Sequence, residues 1–178
     1  GPGYKVTSSF GHLMDLHPRD LSVDLENGFK PEYYIMTGEH KKKKTKFDDK
    51  RPVVKELIRL ASNASEIFIA SDKDREGEAI GWAYMKLLGL KDPKRIVFTS
   101  ITKDAIKKAI SKPEKLNIKM VESQKARRIL DRIAGWKISP VLNQTMGMQK
   151  LSAGRVQSVL VELICDKEKE IIDFFKKD

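Results

Sequence analysis

Four carboxylates fall within seven residues in Ser71-Asp-Lys-Asp-Arg-Glu-Gly-Glu78, directly after the apolar run Glu66-Ile-Phe-Ile-Ala70. Carboxylates so crowded repel one another. A hard divalent cation such as Mg²⁺, held through a few carboxylates and several waters, relieves that repulsion and suits chemistry at a phosphodiester. The plainer reading is a charged surface loop neutralised by Lys73 and Arg75, but position at the end of a buried strand favours the metal. An EF-hand fails. Asp72, Asp74, Glu76 and Gly77 fill its positions one, three, five and six, yet Ile80 and Ala83 stand at nine and twelve, where a closing carboxylate is needed. A phosphate-binding P-loop fails too, because the segment is acidic and lacks both the glycine spacing and the terminal Lys-Ser or Lys-Thr.

The second constellation is basic. In Glu122-Ser-Gln-Lys-Ala-Arg-Arg-Ile-Leu-Asp-Arg-Ile-Ala-Gly-Trp136, residues Arg128, Arg132 and Trp136 are four apart and share one helix face. Guanidiniums that hold phosphates beside an indole that stacks a base suit single-stranded DNA. Trp136 alone reads as core packing; the trio together reads as binding. Asp131 can orient an arginine or form a surface ion pair. In Leu151-Ser-Ala-Gly-Arg-Val-Gln-Ser158 a loop enters a helix, with Ser152 placed to cap it and Arg155 and Gln157 in the first turn. Helix N-termini attract anions, so a phosphate or base contact competes there with an ordinary capped helix. His12, after Gly11, reads as a structural histidine or a phosphate donor.

The elements that must position these residues alternate. Tyr4 to Phe10 reads as a strand, residues 15 to 50 as a loop-rich excursion with a short Tyr33 to Met36 strand and a lysine run from Lys41 to Lys44. Val53, Val54, Leu57, Ile58 and Ala61 then repeat at helical spacing after Pro52. Strand Glu66 to Ala70, a helix over 76–88 stopped by Gly89, strand Arg95 to Phe98 and a helix capped by Thr102 follow. Such alternation predicts an α/β domain with a parallel sheet, whose ligands gather at the carboxyl ends of the strands. Beyond Pro113 only helical patterns remain, over 118–135 and from Ser152 to Phe175, the latter with Val156, Val159, Leu160, Leu163, Ile171 and Phe174 inward. This divides the chain into residues 1–113, metal-binding, and 114–178, the helical part of a single-strand DNA-binding domain.

Composition agrees with a polyanionic partner: 35 Lys and Arg against 25 Asp and Glu give a net charge of +10 across 178 residues. No apolar run approaches the roughly 20 residues of a spanning helix, and no signal peptide or lipidation motif opens the chain, so a soluble, cytoplasmic, DNA-associated protein is expected. The single cysteine, Cys165, excludes an internal disulfide and a Cys-based zinc site, and is expected to be a buried thiol.

Five segments in order resemble the type IA DNA topoisomerases, whose first domain has the Toprim fold: Ser8-Ser-Phe-Gly-His-Leu-Met-Asp-Leu16, Ala70-Ser-Asp-Lys-Asp-Arg-Glu-Gly-Glu-Ala-Ile-Gly-Trp82, Arg95-Ile-Val-Phe-Thr-Ser-Ile-Thr102, Ala126-Arg-Arg-Ile-Leu-Asp-Arg-Ile-Ala-Gly-Trp-Lys-Ile-Ser-Pro140, and Leu151-Ser-Ala-Gly-Arg-Val-Gln-Ser158. The resemblance implies that Asp72, Asp74 and Glu76 hold Mg²⁺ near the scissile phosphate, with Glu76 and Arg132 supporting catalysis. It implies that His12, Arg128, Asp131, Arg132, Trp136, Ser152, Arg155 and Gln157 contact or orient single-stranded DNA. It further implies relaxation of supercoiled DNA without ATP: a tyrosine takes the 5′-phosphate, a strand passes, and the nick is resealed. The expected partners are single-stranded and underwound duplex DNA and the remaining domains of the same enzyme, in a monomer.

Three departures qualify that resemblance. Members of the family open with a strand bearing a Glu and a nearby Lys, and this chain starts just after it, so a Toprim-type sheet without its first strand is expected. None of Tyr4, Tyr33, Tyr34 or Tyr84 has the Arg-containing context of the family's nucleophile, so the chain alone is expected not to cleave DNA. Thr99-Ser100 stands where the family often has Asn-Glu. The competing readings are another Toprim protein such as a primase or nuclease, disfavoured by the Arg128 helix and the Leu151 segment, a free-standing DNA-binding module, and the topoisomerase part of a reverse gyrase.

Overall fold

The structure is a computed structural model that describes residues 3–39 and 48–176. The lysine run from Lys41 to Lys44 lies outside the described residues. Contacts divide the chain into two compact units, Gly1–Ala126 and Arg127–Asp178.

In the first unit, strand β1 (Met14–Leu16) pairs antiparallel with β4 (Tyr33–Ile35), and β2 (Val23–Asp24) with β3 (Lys30–Pro31). Helix α1 (Arg51–Ala61) follows, with Pro52 in its first turn, where no amide donor is missed. Strand β5 (Phe68–Ala70), helix α2 (Arg75–Leu87) and strand β6 (Lys94–Ile96) then form a β-α-β unit. The two strands run parallel, with Phe68 opposite Lys94, Ile69 opposite Arg95 and Ala70 opposite Ile96. Parallel neighbours need a long crossover, and α2 supplies it. Helix α3 (Lys103–Ser111) starts at Thr102, whose hydroxyl accepts the Ala105 amide as expected of a cap.

The hydrophobic core joins these parts. Leu13, Val54 and Leu57 are buried together, with Met14, Ile35, Val53, Tyr84, Leu87 and Leu88 packed around them. Thus α1 and α2 both seat on the segment leading into β1. Ile58, on the predicted apolar face of α1, instead points outward and is exposed.

Residues Tyr4 to Phe10 do not form the predicted strand. Their polar groups are used otherwise. The Ser8 hydroxyl accepts the Phe10 amide, and the buried Lys50 ammonium donates to the carbonyls of Ser9 (3.1 Å) and Phe10 (2.7 Å). Phe10 consequently sits at φ +52°, where a strand cannot continue.

In the second unit, helix α4 (Ile118–Met146), which begins in the first, runs eleven residues past the predicted end at 135, through Pro140. Asn143 accounts for much of the order there. Its side-chain amide donates to the carbonyls of Ser139 (2.6 Å) and Leu151 (2.8 Å) and accepts the Leu151 amide (2.9 Å). The Ser139 hydroxyl accepts the Ala153 amide at 3.0 Å, so the returning segment is tied back on the helix it left. Helix α5 (Arg155–Phe175) has Gly154, not Ser152, at its N-cap. Val156, Val159, Leu160, Leu163, Ile171 and Phe174 are exposed rather than inward, and so is Cys165. Inward burial of that stripe requires an opposing layer, and nothing among the described residues covers it. No helix among the described residues is long and apolar enough to cross a membrane.

Candidate functional site

The acidic loop leaves the carboxyl end of β5 and turns directly into α2. Asp74 is the N-cap: in an extended conformation, its Oδ1 accepts the Gly77 amide at 2.7 Å, while the Ser71 hydroxyl donates to the Gly77 carbonyl at 2.7 Å. The backbone of Asp72 lies so close over Gly77 that a Cβ there would stand 2.9 Å from the Asp72 nitrogen and 2.8 Å from its carbonyl carbon. Only glycine fits under this turn. Glu76 and Glu78, in the first turn of α2, are favourably placed against the positive end of the helix.

The four carboxylates have separate surroundings. Glu78 turns inward and is 3% exposed, paired with an equally buried Arg95 at 3.1 Å; its second oxygen accepts the Asn117 amide at 2.9 Å. Glu76 stays at the surface, one oxygen 3.2 Å from His12 Nε2 and the other hydrogen-bonded by the Gln124 amide. Asp74 gives one oxygen to the cap. Asp72 is exposed, and its carboxylate has no protein partner among the described residues. Lys73 reaches 3.5 Å from Glu114 instead of neutralising the loop's own carboxylates.

Among the described residues no three His, Cys, Asp or Glu side chains stand together closely enough to hold a metal ion. The donor set nonetheless fits a hard cation: Asp72 and the second oxygen of Asp74 are oxygen ligands at one loop, and Mg²⁺ takes one or two carboxylates and keeps several waters. Glu76 adjoins this pair but is held by His12 and Gln124.

In the second unit, Asp131 Oδ1 accepts Arg155 Nε at 2.8 Å, with Arg127 at 3.8 Å from its other oxygen. The Arg155 hydrogen bond draws the Asp131 carboxyl below the usual carboxylate range, and in return raises the guanidinium of Arg155. Asp131 thus orients an arginine, Arg155, twenty-four residues on. Gln157 donates to the Ser152 carbonyl (2.6 Å) and hydroxyl (3.1 Å), so Ser152 is engaged by Gln157 instead of capping α5. Arg128 and Arg132 are half-buried on α4, and Trp136 is exposed by 40%.

Residue spacing did not reveal Arg95, Gln124, Lys50, Ser139 or Asn143. For Arg95 a signal existed: a charged residue leading directly into the apolar run Ile96-Val-Phe98 of a buried strand requires a counter-charge, and Glu78 is the carboxylate one helical turn beyond the cap.

Residues 1–101 match the family described as Toprim domain, and residues 115–178 the one described as DNA topoisomerase. The chain is also similar to full-length topoisomerase I from Thermotoga maritima, at 43% identity and a TM-score of 0.81. That match covers 97% of this chain and 28% of the Thermotoga protein, so the chain spans just over a quarter of its relative's length. With an acidic loop at the carboxyl end of a parallel strand, a helical unit carrying the arginines, and these matches over both, the chain belongs to the type IA DNA topoisomerases.

Proposed function

We propose that the chain serves an enzyme that relaxes supercoiled DNA by single-strand cleavage, strand passage and religation without ATP, and that its own part is to bind Mg²⁺ and single-stranded DNA. The observation that carries this reading is the acidic loop, in which, among the described residues, Asp72 and one oxygen of Asp74 are left for a cation while the loop's other carboxylates are engaged. Asp72 and Asp74 would hold Mg²⁺, with Glu76 as the third ligand, and the bound ion would supply positive charge beside the scissile phosphate, chiefly to position DNA for religation. His12, adjoining Glu76, would donate to a phosphate.

Arg128, Arg132 and Trp136 would grip single-stranded DNA, the guanidiniums on phosphates and the indole on a base. Asp131 aims Arg155, and Ser152 with Gln157 form a polar edge for backbone or base contact. Arg132 would also support catalysis. None of the four tyrosines is the nucleophile, so the chain by itself binds DNA without cleaving it. Mg²⁺ binding belongs to residues 1–113 and strand gripping to 114–178, in a monomer acting on underwound DNA in the cytoplasm together with the remaining domains of the enzyme.

The test is fluorescence anisotropy of a labelled single-stranded oligonucleotide, against wild type and Arg128→Ala/Arg132→Ala, over a salt series and beside duplex DNA. Salt-sensitive, single-strand-preferring binding that the double variant loses is the expected result. Binding unchanged by the double variant would refute the role of this helix.

A further inference from the structure

We propose that Arg95 is the positioning residue of the acidic loop, setting the backbone from which Asp72 presents its carboxylate to a divalent cation. The inference rests on the metal reading above. An arginine has five N–H donors in a planar fork, and Arg95 uses all five. Its Nε donates to Glu78 Oε1 at 3.1 Å, Nη1 to the carbonyls of Ile96 (2.8 Å) and Ile69 (3.4 Å), and Nη2 to the carbonyls of Asp72 (2.8 Å) and Ser71. One side chain thus ties the end of β5, the first two loop residues and the first turn of α2 to β6.

The anchor is itself fixed. Arg95 lies opposite Ile69 in the strand register, and its amide and carbonyl exchange hydrogen bonds with Glu114 at 2.9 and 2.7 Å. Glu78 is fixed from its other side by the Asn117 amide. Asp72 is then clamped between the guanidinium, which holds its carbonyl, and Gly77, over which its backbone lies without room for a Cβ. Since the Asp72 carboxylate has no partner among the described residues, its placement follows from its backbone.

The ion pair by itself does not call for this arrangement, because well-packed apolar residues of similar volume generally serve a buried position as well as an ion pair does. What apolar residues cannot supply is a fork that fixes four carbonyls at once. Lysine cannot supply it either, being a point charge with three rotatable donors.

The experiment titrates Mn²⁺ into the 178-residue chain, read by electron paramagnetic resonance of the free ion, for wild type, Arg95→Lys, Glu78→Gln and Asp72→Asn. Far-UV circular dichroism of each variant is recorded at the same temperature. Groups that orient metal ligands typically contribute about tenfold or more to affinity. Arg95→Lys, with a wild-type spectrum, is therefore expected to bind Mn²⁺ at least about tenfold more weakly, and Glu78→Gln by a smaller factor of at least about threefold. Should Arg95→Lys fail to fold, Glu78→Gln decides, since it keeps the size of the side chain and an acceptor for Arg95. A folded variant with Mn²⁺ affinity within twofold of wild type overturns the inference while leaving the metal reading intact. A wild type that binds no Mn²⁺, or an Asp72→Asn variant that binds as wild type does, overturns the metal reading and the inference with it.

Discussion

Replacing Glu78 by Leu should be among the most damaging single changes in the first unit. It leaves the Arg95 guanidinium buried without its counter-charge and the Asn117 amide without its acceptor. Breaking a buried pair by removing one partner costs about 3–5 kcal/mol, out of a total stability of about 5–15 kcal/mol for a domain. With a urea slope of about 2 kcal/mol/M, the unfolding midpoint should fall by about 2 M. Trp82 is the reporter for this unit, with Tyr33 edge-on to it at 5.5 Å and the Lys125 ammonium 3.9 Å from its ring centroid. The melts are therefore followed by fluorescence in a Trp136→Phe background. A second arm, Glu78→Leu/Arg95→Met, separates a simple ion pair from a backbone anchor. A simple pair replaced by two apolar side chains regains most of what was lost. Here the double variant also strands the carbonyls of Ile69, Ser71, Asp72 and Ile96, at about 1–3 kcal/mol for each that water does not reach. It should remain at least about 1 M below wild type. A single variant shifted by less than about 0.5 M, or a double variant with the wild-type midpoint, would refute the reasoning.

Gly77→Ala places a methyl group against the Asp72 backbone and should destabilise the first unit by about 1–3 kcal/mol, read by the same urea melt; an unchanged midpoint counts against the tight turn. Chelation should leave the fold alone, because Arg95, Glu78 and the Asp74 cap hold the acidic loop through protein contacts; a melting temperature that drops by more than a few degrees in EDTA contradicts this. The Asp131–Arg155 bond should make the second unit pH-dependent. Its carboxyl is depressed when folded, so the stabilisation is fully present above the ordinary carboxylate pKa and is lost as pH falls through the lowered value. The pair is partly exposed, which limits the effect to about 1 kcal/mol or less, and Asp131→Asn should abolish it in acid titrations of stability. Asn143→Ala releases both bonds to Leu151 and should raise amide hydrogen exchange at residues 151–153 without altering exchange in α2.

Much of the fold is local and was therefore legible. Thr102 caps α3, Pro52 opens α1, and the apolar runs at Ile69 and Ile96 pair as parallel strands around a crossover helix, each signal lying within a few residues of its effect. The errors arise where a distant group decides. Tyr4 to Phe10 read as a strand, but the carbonyls of Ser9 and Phe10 are taken by Lys50, some forty residues away, and Phe10 turns left-handed. The helical pattern after Asp131 ends at Gly135 and Pro140 by propensity, yet the side chains of Ser139 and Asn143 secure the segment by bonding residues 151–153. Periodicity predicts the apolar stripe of α5 and Cys165 inward, and both are exposed, because periodicity reports a face without saying what lies opposite it.

The acidic loop carries the same lesson to the chemistry. Crowding of four carboxylates was the reason to expect a cation, but the fold disperses them before any ion is considered. Glu78 is neutralised inside by Arg95, Asp74 spends one oxygen on the helix cap, and Glu76 leans on His12 and Gln124. Repulsion among the four is thus largely relieved by the protein itself. The case for a cation then rests on different ground, namely that a protein able to engage three of its loop carboxylates leaves Asp72 exposed and, among the described residues, without a partner, on backbone held by a buried arginine. Of the four, Asp72 is the carboxylate whose exchange for asparagine should disturb the fold least and cation binding most. Because Glu76 must give up His12 or Gln124 to serve as the third ligand, Glu76→Gln should weaken Mn²⁺ binding less than Asp72→Asn does, and equal loss from the two would refute that ordering.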